Sequence, residues 1–111
     1  MTTIFGKIIA GKMPCKKVFE NERILAIEDI MPVAPVHILI MPKKEIPSLQ
    51  SLAKEDYPLI LEIIEVAKNI AEELDITDGY RLLTNSGEEA GQTIFHLHFH
   101  LIGGRKLTKL A

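Results

Sequence analysis

The sequence lacks several features that would point to a particular class of protein. It contains a single cysteine, Cys15, which excludes an internal disulfide and fits a reducing compartment. Its formal net charge is −2 and no basic block occurs, so binding of nucleic acid through a broad basic surface is not expected. The apolar stretch 4–9 is interrupted by Gly6 and Lys7 and is too short to span a membrane. These absences favour a cytoplasmic protein without a membrane anchor, whose partners are small molecules or proteins.

The chain also contains no repeat, low-complexity tract or linker-like segment. Its 111 residues are 47% hydrophobic and 25% charged, a composition that supports one globular domain with its own core. We therefore expect a single domain over residues 1–111.

The first half of the chain predicts a β-hairpin followed by a third strand. Residues 16–20 and 23–29 favour two strands that are joined by a tight turn. The prolines in segment 30–35 prevent regular pairing there, and residues 37–41 then form a third strand that Pro42 ends. The proline-containing loop is therefore expected to lie between two strands.

Two helices are expected, one short and one long. Residues 3–11 predict a short helix that ends at Gly11, and residues 51–75 predict the long one. The long segment has the three-and-four spacing of a buried stripe, formed by Ile60, Ile63, Ile64, Ala67, Ile70, Ala71 and Leu74. Three apolar residues fall outside this stripe, namely Leu59, Leu61 and Val66. They indicate a second contact surface, as in a homodimer.

Two more strands are expected near the C-terminus. Residues 80–85 and 93–102 have strand-like patterns, and the loop between them contains two glycines. Four or five antiparallel strands with one long packed helix define an α+β domain.

Residues 95–101 alternate histidines with apolar residues, and this pattern is the most informative in the chain. On a strand, His96, His98 and His100 share one face. The other face is expected to be core and carries Phe95, Leu97, Phe99 and Leu101. Neighbours on one face lie roughly 6.7 Å apart, so a single metal ion cannot bind all three imidazoles. We therefore expect no metal site.

A phosphate ester suits this row of histidines better than a metal ion does. Neutral imidazole is a nucleophile near neutral pH, and imidazolium is an acid or an anion ligand. The central His98 is the natural attacking group, and its neighbours can donate hydrogen bonds to phosphate oxygens or protonate the leaving group. The preceding loop offers a cradle of small and neutral polar residues, which are Asn85, Ser86, Gly87, Gly91, Gln92 and Thr93.

The segment NSGEEAGQTIFHLHFHLIGGR resembles the signature of the histidine-triad (HIT) superfamily, His-x-His-x-His followed by apolar residues. The segments IFGKIIAGKMP and LAIEDIMPVAPVHILIMPKK are similar to the branch of histidine-triad nucleotide-binding proteins, so the resemblance spans essentially the whole chain. It implies a HIT-like fold, with an antiparallel sheet of about five strands, one long helix and a short N-terminal helix. It also implies a homodimer.

The resemblance implies a purine nucleoside phosphoramidase that needs no cofactor. Such an enzyme hydrolyses nucleoside 5′-phosphoramidates to a nucleotide such as AMP or GMP and an amine, through a covalent nucleotidyl-histidine. His98 would be the nucleophile. His100 and His37 would contact the phosphate and help to protonate the leaving group, and His96 would order the site and fix the ring of His98.

The resemblance also implies binding positions for the nucleotide. The residues expected at the phosphate and ribose are Asp29, Asn85, Gly91, Gln92 and Thr93. Asp29 would bridge the ribose hydroxyls, which is sound chemistry for a carboxylate and a diol. The residues expected around the purine are Ile4, Phe5, Ile8, Ile27 and Ile30.

Two departures from the family pattern affect these expectations. Many bacterial relatives bind structural zinc through a pair of cysteines and histidines, but this chain has only Cys15 and carries Glu45 after PKK. Eukaryotic members end in a longer tail that contains tryptophan. This chain contains no tryptophan, so the resemblance does not fix which leaving group it prefers. Two alternatives stay open, a dinucleoside polyphosphate hydrolase and a nucleotide-binding or scaffolding module with negligible turnover.

Overall fold

The structure, a computed structural model, describes residues 3–110. Its α-helices are α1 (Ile4–Ile9) and α2 (Tyr57–Glu73), and its strands are β1 (Lys17–Glu20), β2 (Ile24–Glu28), β3 (Val36–Pro42), β4 (Tyr80–Leu83) and β5 (Phe99–Gly103). The strands form one antiparallel sheet in the order β1-β2-β3-β5-β4. The predicted α+β fold, with five strands, one long helix and a short N-terminal helix, is confirmed.

The sheet is covered on both faces, because its central strands carry apolar side chains in both directions. On one face, α2 packs against a core that includes Ile24, Ala26, Ile38, Ile40 and Leu101. On the other face, Phe5 of α1 packs against Leu25, Ile27, Leu39 and Met41. His37 alternates with Leu39 and Met41 along β3 and therefore points to the second face, opposite α2.

Helix α2 begins later than the sequence predicts and presents a slightly rotated face to the core. It begins at Tyr57, with Pro58 in the first turn. Backbone N–H groups in the first turn have no partner within the helix, so proline, which lacks this group, loses no hydrogen bond there. Val66 is buried, whereas Ile64 and Leu74 are 41% and 43% exposed, so the predicted stripe was wrong at these three positions. Among residues 3–110, no helix has the length and apolar character needed to cross a membrane.

Strand β5 is shorter than the sequence predicts. It begins at Phe99, six residues after the predicted start, and the exposed fraction of Phe95 is 44%, so the prediction that Phe95 joins the core was wrong. The ladder with β3 ends at the pair Ile40 and Phe99, because β3 finishes at Pro42, which has no N–H to donate. Beyond that point the segment is tied to a loop, with the Leu97 N–H donating to the Ile46 carbonyl at 2.7 Å.

Candidate active site

Three of the four histidines form a cluster at the centre of the sheet. His100 of β5 lies between β3 and β4, paired with Leu39 on one side and Leu83 on the other. Its ring centroid is 5.1 Å from that of His98 and 5.2 Å from that of His37. Neighbouring antiparallel strands therefore bring His37 to the motif, although it lies about 60 residues earlier in the chain.

The hydrogen bonds of His98 leave one ring nitrogen free for chemistry. Its Nδ1 is 2.7 Å from the His96 carbonyl oxygen, and a carbonyl only accepts, so Nδ1 carries the proton. The ring also meets Phe5 edge-on at 4.8 Å. Among residues 3–110, no group forms a hydrogen bond with Nε2 of His98. The neutral tautomer therefore presents an unprotonated nitrogen, as a nucleophile requires.

A chain of hydrogen bonds fixes the proton positions of the other two rings. The Val33 N–H donates to Nδ1 of His37 at 3.1 Å, so His37 carries its own proton on Nε2. Nε2 of His37 is 2.9 Å from Nδ1 of His100 and 3.3 Å from Oδ2 of Asp29. Nδ1 of His100 therefore accepts, and neutral His100 keeps its proton on Nε2, from which it can be donated to a bound group.

His96 is fully buried and lies apart from the cluster. Its Nε2 donates to the Pro42 carbonyl at 2.7 Å, and its buried Nδ1 has no hydrogen-bond partner within the described chain. The family resemblance implies that the His96 side chain fixes the ring of His98. In the structure the contact comes from the backbone carbonyl of His96, and its imidazole anchors the segment beside the end of β3.

An apolar cavity of about 410 Å³ opens beside His98 and His100. Nine residues expected at the site from the sequence line it: Ile4, Phe5, Ile8, Ile27, Asp29, Ile30, Thr93, His98 and His100. Further lining residues include Met13, Cys15 and Met31, which the sequence did not indicate. The cavity has the size of small-molecule sites, and its walls are mostly apolar with a few polar groups.

Three residues expected at the phosphate, Asn85, Gly91 and Gln92, do not line this cavity. The side chain of Gln92 is buried and forms three internal hydrogen bonds, to Gly87 N, Pro47 O and Ile94 O. Gly91 ends a short turn with φ of +95°, which suits glycine. These two residues therefore shape the loop that precedes the histidines.

Two groups that hold the site together were not indicated by the sequence. Thr84, just after β4, donates its hydroxyl proton to the His98 carbonyl at 2.6 Å. The Val33 backbone sets the tautomer of His37. Neither has a signal in the sequence, because each contact joins a side chain to a backbone atom.

The environment keeps the clustered histidines neutral. Burial lowers the pKa of His37 and that of His98 below the usual value, although Asp29 acts in the opposite direction on both. Burial, together with the positive charges that His98 and His37 would carry, lowers the pKa of His100 to about 4. At neutral pH the nucleophilic nitrogen of His98 is therefore available.

Asp29, His37 and His100 also place one donor atom each within 4.8 Å of one another, as a metal site would. Binding of a metal to Nε2 of His37 would move the ring proton to Nδ1, which faces the Val33 N–H at 3.1 Å. The proton on Nδ1 of His37 and that of the Val33 N–H would then point at each other, which is unfavourable. These three side chains are therefore better suited to hydrogen bonds among themselves than to binding a metal ion.

The lowered pKa values predict a loss of stability in mild acid. Unfolded histidines titrate near pH 6.5, above the clustered ones, so the unfolded chain binds more protons just below that value. We expect Tm to fall as the pH is lowered from about 7.5 to about 5.5. His100→Gln, which cannot titrate, should show a smaller fall in differential scanning calorimetry. An equal fall in both proteins would contradict this assignment.

The fold and the histidine cluster define a histidine-triad domain. A family model described as the HIT domain matches residues 10–107, and the chain belongs to this family. A HIT-like protein of Chlamydia pneumoniae is 49% identical over 109 residues, which cover 98% of this chain and 99% of that protein. An uncharacterized HIT-like protein of Synechocystis is 47% identical over 103 residues, 93% of this chain and 90% of the relative.

Solved structures agree with this assignment. A HIT family hydrolase from Clostridium thermocellum has a TM-score of 0.94 at 43% identity, covering 98% of this chain and 96% of that one. A histidine triad protein from Clostridium difficile has a TM-score of 0.95 at 39% identity, covering 100% of this chain and 97% of the other.

Proposed function

We propose that the protein is a nucleotide hydrolase of the histidine-triad nucleotide-binding branch, which cleaves purine nucleoside 5′-phosphoramidates to a nucleoside monophosphate and an amine. The observation that carries the proposal is the protonation pattern of the cluster. His98 offers a bare Nε2 at the cavity, and the adjacent His100 offers a proton on its own Nε2. A nucleophile and a donor side by side suit displacement at phosphorus.

In the first step, Nε2 of His98 attacks phosphorus and the bond from phosphorus to the leaving nitrogen breaks. His100, whose pKa rises when the anionic phosphate binds beside it, first takes up a proton from solvent. The amine departs with the Nε2 proton of this imidazolium, which leaves His100 neutral. The nucleotidyl-imidazole carries a positive charge, which the His96 carbonyl stabilises through Nδ1–H at 2.7 Å.

In the second step, water attacks phosphorus and the bond from phosphorus to Nε2 of His98 breaks. The water proton passes to His100, which restores both rings for another cycle. Asp29, whose Oδ2 lies 3.3 Å from His37 Nε2, stabilises positive charge on the His37–His100 pair during both steps.

The nucleoside is proposed to occupy the apolar part of the cavity. Flat purine rings match the walls formed by Phe5, Ile8 and Ile27, and Ile30 lies 90% exposed at the rim. Thr93 and Asp29 line the same cavity as His98 and His100 and provide polar groups for the phosphate and ribose.

The proposal is tested by trapping the covalent intermediate. The protein is mixed with adenosine 5′-phosphoramidate, quenched in base and digested, and the peptides are analysed by mass spectrometry. We expect release of AMP and a nucleotidyl adduct on the peptide that contains His98. Faster turnover of a diadenosine polyphosphate would favour the related hydrolase, and neither AMP nor adduct from any purine nucleoside amide would favour a binding module.

We further propose that the protein acts as a cytoplasmic homodimer. The outer side of α2 supports this, because Tyr57, Leu61 and Ile64 are 54%, 70% and 41% exposed. The half-buried free thiol of Cys15 suits a reducing compartment. Sedimentation of a species with twice the chain mass, shifted to monomer by Leu61→Glu, would support the dimer.

A further inference from the structure

The exposed loop between β2 and β3 controls the proton position on His37. The loop contains two prolines, and the side chain of Val33 is 58% exposed, so this residue receives little support from packing. Its N–H nevertheless must point at Nδ1 of His37 to keep the proton of that ring on Nε2. Something other than a hydrophobic core must therefore hold the Val33 backbone in place.

The segment that follows β5 provides this support. Nη2 of Arg105 donates to the Val33 carbonyl at 2.9 Å, and Nη1 donates to the Lys106 carbonyl at 2.9 Å. The preceding Gly104 lies so close to the loop that an added Cβ would be 2.9 Å from Cβ of Pro35. The C-terminal segment and the loop therefore touch through two adjacent residues.

We propose that Arg105 is a positioning residue, which holds the Val33 backbone so that His37, and through it His100, keep the tautomers needed for catalysis. The proposal rests on the proposed function. Arg105 is not among the residues that line the cavity, and its guanidinium already donates to two carbonyls. It is therefore suited to hold the loop and not to bind the substrate phosphate.

Loss of this contact has a defined chemical consequence. When the Val33 N–H moves away, His37 also populates the tautomer with its proton on Nδ1, and its bare Nε2 no longer donates to His100. His100 then shifts its own proton to Nδ1 and presents a bare nitrogen to the cavity. In that state it cannot give a proton to the leaving group or a hydrogen bond to phosphate.

The test compares Arg105→Ala with Arg105→Lys and with the control Lys106→Ala, which removes a neighbouring positive charge. For Arg105→Ala we expect kcat to fall roughly tenfold, as for loss of one ordinary hydrogen bond, with KM within about twofold of the wild type. Arg105→Lys should recover part of kcat, because an ammonium group can still donate to the Val33 carbonyl. Lys106→Ala should match the wild type.

A spectroscopic measurement separates positioning from general damage. Long-range proton–nitrogen NMR spectra report the tautomer of each imidazole, and Arg105→Ala should move the His37 ring nitrogens toward averaged shifts while Tm changes little. Unchanged His37 shifts, or a rise in KM with kcat preserved, would overturn the proposal. Because the spectra need no turnover, they test whether Arg105 fixes the tautomer of His37 even if the trapping experiment refutes the proposed hydrolysis.

Discussion

Replacing His98 with asparagine is expected to abolish turnover while leaving the fold and the apolar cavity in place. Since the proposed reaction forms its first bond at Nε2 of His98, kcat should fall by roughly 10⁴-fold or more, as for other removed nucleophiles. The measurement is release of AMP from adenosine 5′-phosphoramidate. The nucleotidyl adduct should disappear from the mass spectrum at the same time.

Asparagine provides a matched control for the role of the ring in the structure. Its amide N–H₂ can still donate to the His96 carbonyl, as Nδ1 of His98 does at 2.7 Å, but it has no nucleophilic nitrogen. His98→Ala removes both features. We expect both variants to be inactive and to bind AMP within about threefold of the wild type by calorimetry, since the apolar walls supply most of the contacts. Substantial turnover by either variant would exclude His98 as the nucleophile.

Replacing Gly104 with alanine is expected to cause a large loss of stability. Gly104 has φ of +92°, and an added Cβ would lie 2.9 Å from Pro35 Cβ and 3.3 Å from Val36 N. The backbone conformation costs about 1–2 kcal/mol for an L-residue, and the overlap with a rigid proline ring costs about 1–3 kcal/mol more. The midpoint of thermal unfolding should therefore fall by roughly 10 °C or more.

Gly11→Ala separates the two contributions. Gly11 also has a positive φ, +76°, but an added Cβ there would meet nothing within 4 Å. Its substitution should therefore show only the conformational cost. If Gly104→Ala and Gly11→Ala lower Tm equally, the contact with Pro35 is unimportant. A larger effect at Gly104, together with reduced kcat, would show that the loop leading to His37 has been displaced.

Local patterns were sufficient to predict most of the fold. The hairpin of β1 and β2 follows from two apolar runs around a tight turn, and the observed strands lie within the predicted ranges. The start of β5 could not be predicted in the same way. Residues 95–98 have a strand pattern, but β3, the strand with which they would pair, ends at Pro42. The Leu97 N–H instead donates to the carbonyl of the distant Ile46.

Most residues that line the cavity could be predicted, but the hydrogen bonds around the histidines could not. The histidine motif placed His98 and His100 at a common cavity, and the family resemblance added His37 and the apolar wall. The burial of His96 and the internal role of Gln92 depend on distant carbonyl groups at Pro42 and Pro47. Such contacts between a side chain and the backbone leave no pattern in a single sequence.

All four histidines of the chain lie in the cluster or immediately beside it. Any measurement that observes only imidazole groups therefore observes only this region, with no background from the rest of the protein. Ring signals in NMR, or the rate of acylation by diethyl pyrocarbonate, would report directly on occupancy of the cavity during ligand screening. The composition of the chain thus supplies a built-in reporter that needs no added label.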